Sequence, residues 1–164
     1  LNAMSPLTFV AKSEVGAWPI FGYLARQIGT LFIVRERPSD IKRVLAEMVQ
    51  QLNVASVCIF PEGTSSDGRS LLPFKTNLFQ AASDGHAKVL PVLIRFTEND
   101  HYSDAPAFIG DMTLIDSIKR IASCQNLRAT VYLFNPIEES GDRRHLCDQA
   151  HSTIRERLEQ FEHN

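Results

Sequence analysis

The sequence has no excess of either charge: 17 Lys and Arg stand against 19 Asp and Glu in 164 residues, a formal net charge of −2. A chain without a basic field is poorly suited to nucleic acid, and no nucleic-acid partner is expected. Cysteine is scarce. Cys58, Cys124 and Cys147 are odd in number and widely spaced, which fits neither a disulfide framework nor a zinc motif; they read as reduced thiols in a cytosolic setting. No run of 18 apolar residues exists to cross a bilayer, and the N-terminus shows no basic segment followed by an apolar one. Both glycine signatures of nucleotide sites are missing, as are H-E-x-x-H and any paired Asp/His cluster, so no metal and no resident cofactor are expected. What remains is ordinary: 44% apolar and 22% charged residues, enough for a single domain with a real core.

The apolar pattern alternates between short unbroken runs and helical stripes. Leu7–Ala11, Leu31–Val34, Val54–Phe60, Val89–Phe96 and Ala129–Phe134 read as strands. Trp18, Phe21, Leu24, Ala25 and Ile28 form a helical stripe, with Pro19 in its first turn and Gly29 ending it. The clearest amphipathic helix places Ile41, Val44, Leu45, Met48, Val49 and Leu52 on one face behind a Ser39 N-cap. Phe74–Ala82 and Asp116–Ala122 predict shorter helices, and Leu146, Ala150, Ile154, Leu158 and Phe161 predict a closing helix over about 143–161. The stretch Thr97–Gly110 is polar and irregular. Strands apolar on both faces, alternating with helices, predict an α/β fold: a mainly parallel or mixed β-sheet covered by helices on both faces, in a single domain.

The loop Pro61–Pro73 follows a strand and precedes a helix, the position at which open α/β sheets bind ligands. It is crowded with small and hydroxyl residues, and Gly63 allows a ligand close to the backbone. On composition alone the loop is equally an ordinary strand-to-helix turn with Glu62 in solvent.

The order of several blocks decides between these. Phe60-Pro61-Glu62-Gly63-Thr64 resembles the Phe-Pro-Glu-Gly-Thr block of the glycerolipid acyltransferases, the family of 1-acylglycerol-3-phosphate acyltransferases. Upstream, Ala11-Lys12-Ser13-Glu14, Pro19, Gly22, Gly29 and Phe32-Ile33-Val34-Arg35 are similar to its second block. Downstream, Leu72-Pro73-Phe74-Lys75 continues the third block and Val89-Leu90-Pro91-Val92-Leu93-Ile94 resembles the fourth. The likeness is strongest over residues 8–96. It implies a role in phospholipid biosynthesis: transfer of a fatty acyl group from acyl-CoA or acyl carrier protein, as co-substrate, to the hydroxyl of a lysolipid such as 1-acylglycerol-3-phosphate (lysophosphatidic acid). It also implies a membrane surface as partner and, for the full-length protein, residence on the cytoplasmic face of the membrane. By the same resemblance, Arg35 contacts the head group, with a salt bridge to Glu36 or Asp40 as its alternative role. Lys12, Glu62, Gly63, Thr64 and Ser65 join the substrate-binding set, Glu62 either orienting the acceptor or bracing the loop by accepting backbone N–H bonds, and Pro91 lies on the acyl-donor side or shapes the strand entrance.

The family's general base is the histidine of a His-x-x-x-x-Asp pair, which takes the hydroxyl proton while the aspartate orients the ring. No histidine here has that spacing: the fifth residue after His86, His101, His145 and His151 is Pro91, Pro106, Ala150 and Glu156, and His163 is too near the end. The chain opens Leu1-Asn2-Ala3-Met4. The expectation is therefore a soluble fragment of an acyltransferase domain that begins downstream of the missing pair, with residues 1–3 native or a cloning remnant, and that is inactive alone. Two departures bear on the substrate. The family's Thr-Arg-Ser is Thr64-Ser65-Ser66 here, and Val34 replaces an aspartate. Losing a loop arginine removes a strong phosphate ligand, which leaves room for lyso-ornithine lipid, the acceptor of a bacterial branch of the family. A non-catalytic lipid-binding domain is a further alternative. Trp18, Ile20, Phe21, Tyr23 and Leu24, flanked by Lys12, Arg26, Arg35 and Arg37, form either a cation-rimmed apolar ridge for a membrane surface or, for Trp18 and Phe21, part of the core.

Overall fold

The computed structural model describes residues 7–34, 37–138 and 142–162. Where the sequence reads as one domain, the chain packs as two compact units: one comprises the chain up to Pro61 with Lys75–Lys88 and Glu138–Leu146, the other Glu62–Phe74, Val89–Ile137 and the chain from Cys147.

The first unit is built on a parallel sheet of three strands, β1 (Leu7–Lys12), β2 (Leu31–Ile33) and β3 (Ser56–Cys58), with β1 in the middle. Val10 pairs with Leu31 and Lys12 with Ile33 on one side, while Leu7 pairs with Ser56 and Phe9 with Cys58 on the other. Between β1 and β2 lie two short helices, α1 (Ser13–Gly16) and α2 (Phe21–Gln27). The second begins two residues beyond Pro19, so that proline lies outside it. Gly22 explains how the two helices meet: a Cβ there would stand 2.3 Å from the carbonyl oxygen of Gly16, an approach only glycine permits. Arg26 donates to that same carbonyl at 2.6 Å and lies over the Phe32 ring.

The crossover from β2 to β3 is α3 (Pro38–Leu52). It starts one residue before Ser39, with Pro38 at a first-turn position suited to a residue without an N–H, so Ser39 is inside the helix rather than its cap. The apolar stripe is where the sequence places it: Val44 and Met48 are buried with Val10, Ile33, Leu78 and Ala81 in one core, flanked by Ile41, Leu45, Val49 and Leu52. Leu78 and Ala81 come from a 3-10 turn (Thr76–Phe79) and α4 (Gln80–Asp84).

The second unit holds an antiparallel sheet of β4 (Val92–Glu98), β5 (His101–Tyr102) and β6 (Leu127–Leu133), ordered β5-β4-β6. The polar stretch after Thr97 thus contains a hairpin. Asn99 and Asp100 both have positive φ (49° and 64°), the conformation that tight two-residue hairpins require and that Asn and Asp tolerate. Helix α5 (Leu114–Ser123) opens with a capping box in which the Thr113 hydroxyl accepts the Asp116 N–H and the Asp116 carboxylate accepts the Thr113 N–H. The last helix, α6 (Arg143–Glu162), buries Leu146, Ala150, Ile154 and Leu158, the face expected from the sequence. The result is α/β with both parallel and antiparallel pairing. All three cysteines are free thiols.

One carboxylate fastens the end of β2 to the start of α3. Asp40 accepts the Val34 N–H at 2.6 Å and two bonds from the Arg43 guanidinium, and Arg43 in turn donates to the Phe32 carbonyl at 3.0 Å. The Val34 N–H first, and Arg43 next, hold the Asp40 carboxyl below its ordinary value. A lowered folded value means that this contribution is present above the unfolded aspartate range near pH 4 and is lost as the pH falls through the folded value. Asp40→Asn should therefore lower the melting temperature at neutral pH, and the gap from wild type should narrow as the pH falls below the unfolded aspartate range. Thermal melts of both proteins from pH 2 to 7 test this; a gap that persists undiminished at pH 2 would contradict the assignment.

Candidate functional site

In the first unit the carboxyl ends of β1, β2 and β3 share one edge, as parallel pairing requires. Lys12 is the last residue of β1, exposed and in register with Ile33. Val34 follows β2 with its N–H held by Asp40. Arg35 and Glu36 lie outside the described residues. Beyond β3 the Phe60 ring stacks on Phe9, 6.4 Å apart with planes 9° from parallel, which aligns the strand's exit. At Pro61 the chain leaves for the loop, and at Lys75 it returns: the Lys75 N–H donates to the Pro61 carbonyl at 2.8 Å and closes the neck.

The loop itself belongs to the second unit. Glu62 is not simply solvated. Its carboxylate reaches across ten residues to accept the Leu72 N–H at 3.0 Å, so the family-like glutamate braces the loop from inside. Gly63 is buried with φ 76°, in the left-handed region where a side chain is strained. Thr64 and Ser65 are exposed, with hydroxyls available to a ligand. The next residues are fixed locally: the Ser66 hydroxyl accepts the Gly68 N–H at 3.2 Å, and the Asp67 carboxylate accepts the Arg69 N–H at 3.1 Å, turns typical of Ser and Asp. Tyr102 then pins the segment by donating its phenol to the Asp67 carbonyl. Burial, and next the Asp67 carboxylate, push this phenol above the ordinary tyrosine range, which keeps it a neutral donor. Pro91 is buried immediately ahead of β4, and its carbonyl accepts the Phe134 N–H at 3.2 Å; it shapes the strand entrance, with no N–H to lose from the ladder.

Thus Glu62, Gly63, Thr64, Ser65 and Pro91 fall in the second unit and Lys12 in the first. Two groups of functional interest escape a reading of the sequence. Asp40 carried the signal of an acid in a helix's first turn, but its partner Val34 is set by the crossover. The cluster of Arg69, Arg95, Tyr102 and Phe161 draws on a loop, two strands and the last helix, with no spacing to reveal it. Among the described residues no three His, Cys, Asp or Glu side chains gather as a metal site. The Glu62 brace has a measurable consequence. Glu62→Ala leaves the Leu72 N–H without its partner and should cost about 1–2 kcal/mol, while Glu62→Gln, which keeps an acceptor, should cost about half as much. Denaturant titrations of the three proteins give the comparison; equal stability of wild type and Glu62→Ala would remove the brace.

The comparisons with known proteins bear out the resemblance read from the sequence blocks. The chain is similar to a lyso-ornithine lipid O-acyltransferase of Pseudomonas aeruginosa, 38% identical over 158 residues that cover 94% of this chain and 60% of that protein. It is similar also to a 1-acyl-sn-glycerol-3-phosphate acyltransferase of Neisseria meningitidis, 36% identical over 160 residues that cover 94% of this chain and 62% of the relative. The chain therefore spans about three fifths of the length of these relatives. In fold it matches the crystal structure of the 1-acyl-sn-glycerophosphate (LPA) acyltransferase PlsC from Thermotoga maritima, with a TM-score of 0.61 at 20% identity, covering 96% of this chain and 57% of that one. The family model described as Acyltransferase matches residues 1–95, more than half of the sequence; the chain belongs to the acyltransferase family.

Proposed function

We propose that the full-length protein transfers a fatty acyl group from acyl-CoA or acyl carrier protein to the free hydroxyl of a lysolipid in glycerolipid synthesis, and that this chain supplies the acceptor-binding loop. The observation that carries the reading is the Phe60–Thr64 block, set at the exit of a parallel strand and held open by its own glutamate. In the reaction the acceptor oxygen attacks the thioester carbonyl, the C–S bond breaks, and the hydroxyl proton passes through a base to the departing thiolate. The 164 residues contain no His-x-x-x-x-Asp pair, so the reading requires that base from elsewhere in the full-length protein. No cofactor is invoked, because the thioester itself is the activated group.

The test is a direct assay. The full-length protein should acylate lysophosphatidic acid or lyso-ornithine lipid with an acyl-CoA or acyl carrier protein donor. The 164-residue chain alone should be slower by about 10²–10⁴-fold, the worth of general acid–base catalysis. Ser65 favours the second acceptor, since a neutral hydroxyl replaces the charged fork of an arginine. Ser65→Arg should raise kcat/KM for lysophosphatidic acid over lyso-ornithine lipid by about 1–2 kcal/mol. Failure of the full-length protein to acylate any lysolipid would leave the lipid-binding alternative.

The same reading seats the protein on the cytoplasmic face of a membrane through α2. The core alternative for Phe21 fails: Phe21 is 44% exposed, beside Ile20 at 72%, Tyr23 at 62% and Leu24 at 52%, and Lys12, Arg26 and Arg37 lie in the same unit. No helix among the described residues is long and apolar enough to cross a membrane; the contact proposed for α2 is with the membrane surface. Ile20 sharpens it. Its φ of 64° is strained for a β-branched residue, and the core gains nothing from a side chain so exposed. Ile20→Gly should relieve about 1 kcal/mol or more of strain and raise the melting temperature. It should also weaken sedimentation with anionic phospholipid vesicles, since an apolar side chain is lost from the contact. Unchanged vesicle binding would remove α2 from the membrane surface.

A further inference from the structure

Inside the second unit, β4, β5, the loop after Thr64 and α6 enclose a cavity of about 130 Å³. Its lining combines apolar residues, Leu93, Phe96, Pro106 and Leu158 among them, with Arg95. Arg95 is held in an unusual way for a partly buried cation. Its guanidinium carbon lies 4.2 Å from the ring centre of Phe161 and 5.4 Å from that of Tyr102. Among the described residues no hydrogen bond or ion pair engages its N–H groups. A second guanidinium, that of Arg69, lies 5.0 Å from the Tyr102 ring centre and is likewise unpaired among the described residues. Of the two carboxylates on the cavity, Asp104 is paired with Arg120 at 3.1 Å, and Asp67 accepts the Arg69 backbone N–H.

Stacking on aromatic faces fixes a guanidinium's plane but uses none of its in-plane donors. The two ring contacts therefore place the Arg95 guanidinium while leaving its N–H groups open to a ligand, and a planar fork of charged N–H groups matches the paired oxygens of a phosphate. Tyr102 couples this fork to the acceptor loop, because the ring that stacks on Arg95 carries the phenol that holds the Asp67 carbonyl. The loop lacks the family arginine at Ser65, and positive charge comes instead from Arg69, in the same loop, and from Arg95 of β4, both lying over the Tyr102 ring.

We infer that Arg95, lying over the rings of Tyr102 and Phe161, is a specificity-determining receptor for a phosphate group of a substrate, with Arg69 as its second cation. The inference rests on the acyl-transfer reading for the identity of the substrates. Their phosphate has two sources, the head group of a phospholipid acceptor and the phosphopantetheine arm of the acyl donor. The hydrocarbon adjoining either one meets the apolar part of the lining.

Two measurements test it. The first needs no activity: inorganic phosphate is titrated into the 164-residue chain while the Arg95 side-chain Nε–Hε signal is followed by NMR. Saturable movement is expected in wild type. Arg95→Gln should weaken phosphate binding, followed through backbone amides of the loop, by about tenfold or more, the loss expected when a charged hydrogen-bonding group is removed. Arg95→Lys, which keeps the charge but not the fork, should weaken it less and covers the case in which the glutamine variant fails to fold. The second uses the full-length protein with Arg95→Lys and Arg95→Gln. If the acceptor is the source, KM rises about tenfold for lysophosphatidic acid but not for neutral monoacylglycerol. If the donor is the source, KM rises for acyl-CoA but not for acyl-pantetheine, which has no phosphate. Either pattern supports the inference. Equal losses on phosphate-bearing and phosphate-free substrates, or no phosphate binding by wild type, would overturn it while leaving acyl transfer untouched. Phosphate binding by a full-length protein that acylates nothing would instead overturn the acyl-transfer reading.

Discussion

Parallel pairing of β1 with both β2 and β3 is the constraint from which the rest of the first unit follows. A parallel pair cannot be closed by a tight turn, so each return to the sheet needs a crossover. Here the crossovers are the α1–α2 pair and α3, and their cost is visible in the residues that fasten them. Gly22 lets two helix backbones touch, Arg26 caps the Gly16 carbonyl, and Asp40 with Arg43 ties α3 to the strand it has just left. In exchange, the three strands end at one edge, and the family-like residues Lys12 and Pro61 come from those ends without any further device.

That economy explains which parts of the fold were legible in the sequence. Strands buried on both faces leave unbroken apolar runs, and α3 and α6 leave clean helical stripes, because burial depends on periodicity and little else. Leu146, Ala150, Ile154 and Leu158 could be named as a buried face for that reason. The direction of pairing leaves no such trace. Alternating strands and helices suggest parallel neighbours throughout, yet β4 and β6 run antiparallel, and the two-residue hairpin at Asn99-Asp100 hid in a polar stretch. Pro19 and Ser39 were misplaced by one or two residues because the chemistry of helix starts is local, while the start itself is set by the neighbouring strand.

The candidate site divides in the same way. The block around Glu62 is contiguous and so could be read directly, together with its two alternatives of solvated turn or working loop. The brace is the arrangement found: the carboxylate turns inward to the Leu72 N–H, so that the exposed chemistry falls to Thr64 and Ser65. The guanidinium cluster at Tyr102 could not be read, since its members come from four separate stretches of chain. A resemblance to a family carries a motif's residues well, but it carries poorly whatever a particular chain has assembled around that motif.

The core of the first unit joins Val10, Ile33, Val44 and Met48 to Leu78 and Ala81, and the Glu62–Phe74 segment lies between these two groups in sequence. Its parallel sheet must also bring Leu7 to Ser56, whereas in the second unit the ladder from β4 to β6 starts with Glu98 and Leu127, much nearer neighbours in sequence. Closing the longer loop costs more chain entropy before any contact rewards it. On a ribosome, then, the part synthesised first cannot complete itself: its sheet is left with one side open until the residues beyond the loop have emerged. The bond from the Lys75 N–H to the Pro61 carbonyl lies within that unit, so a folded first unit implies a loop already closed at its neck.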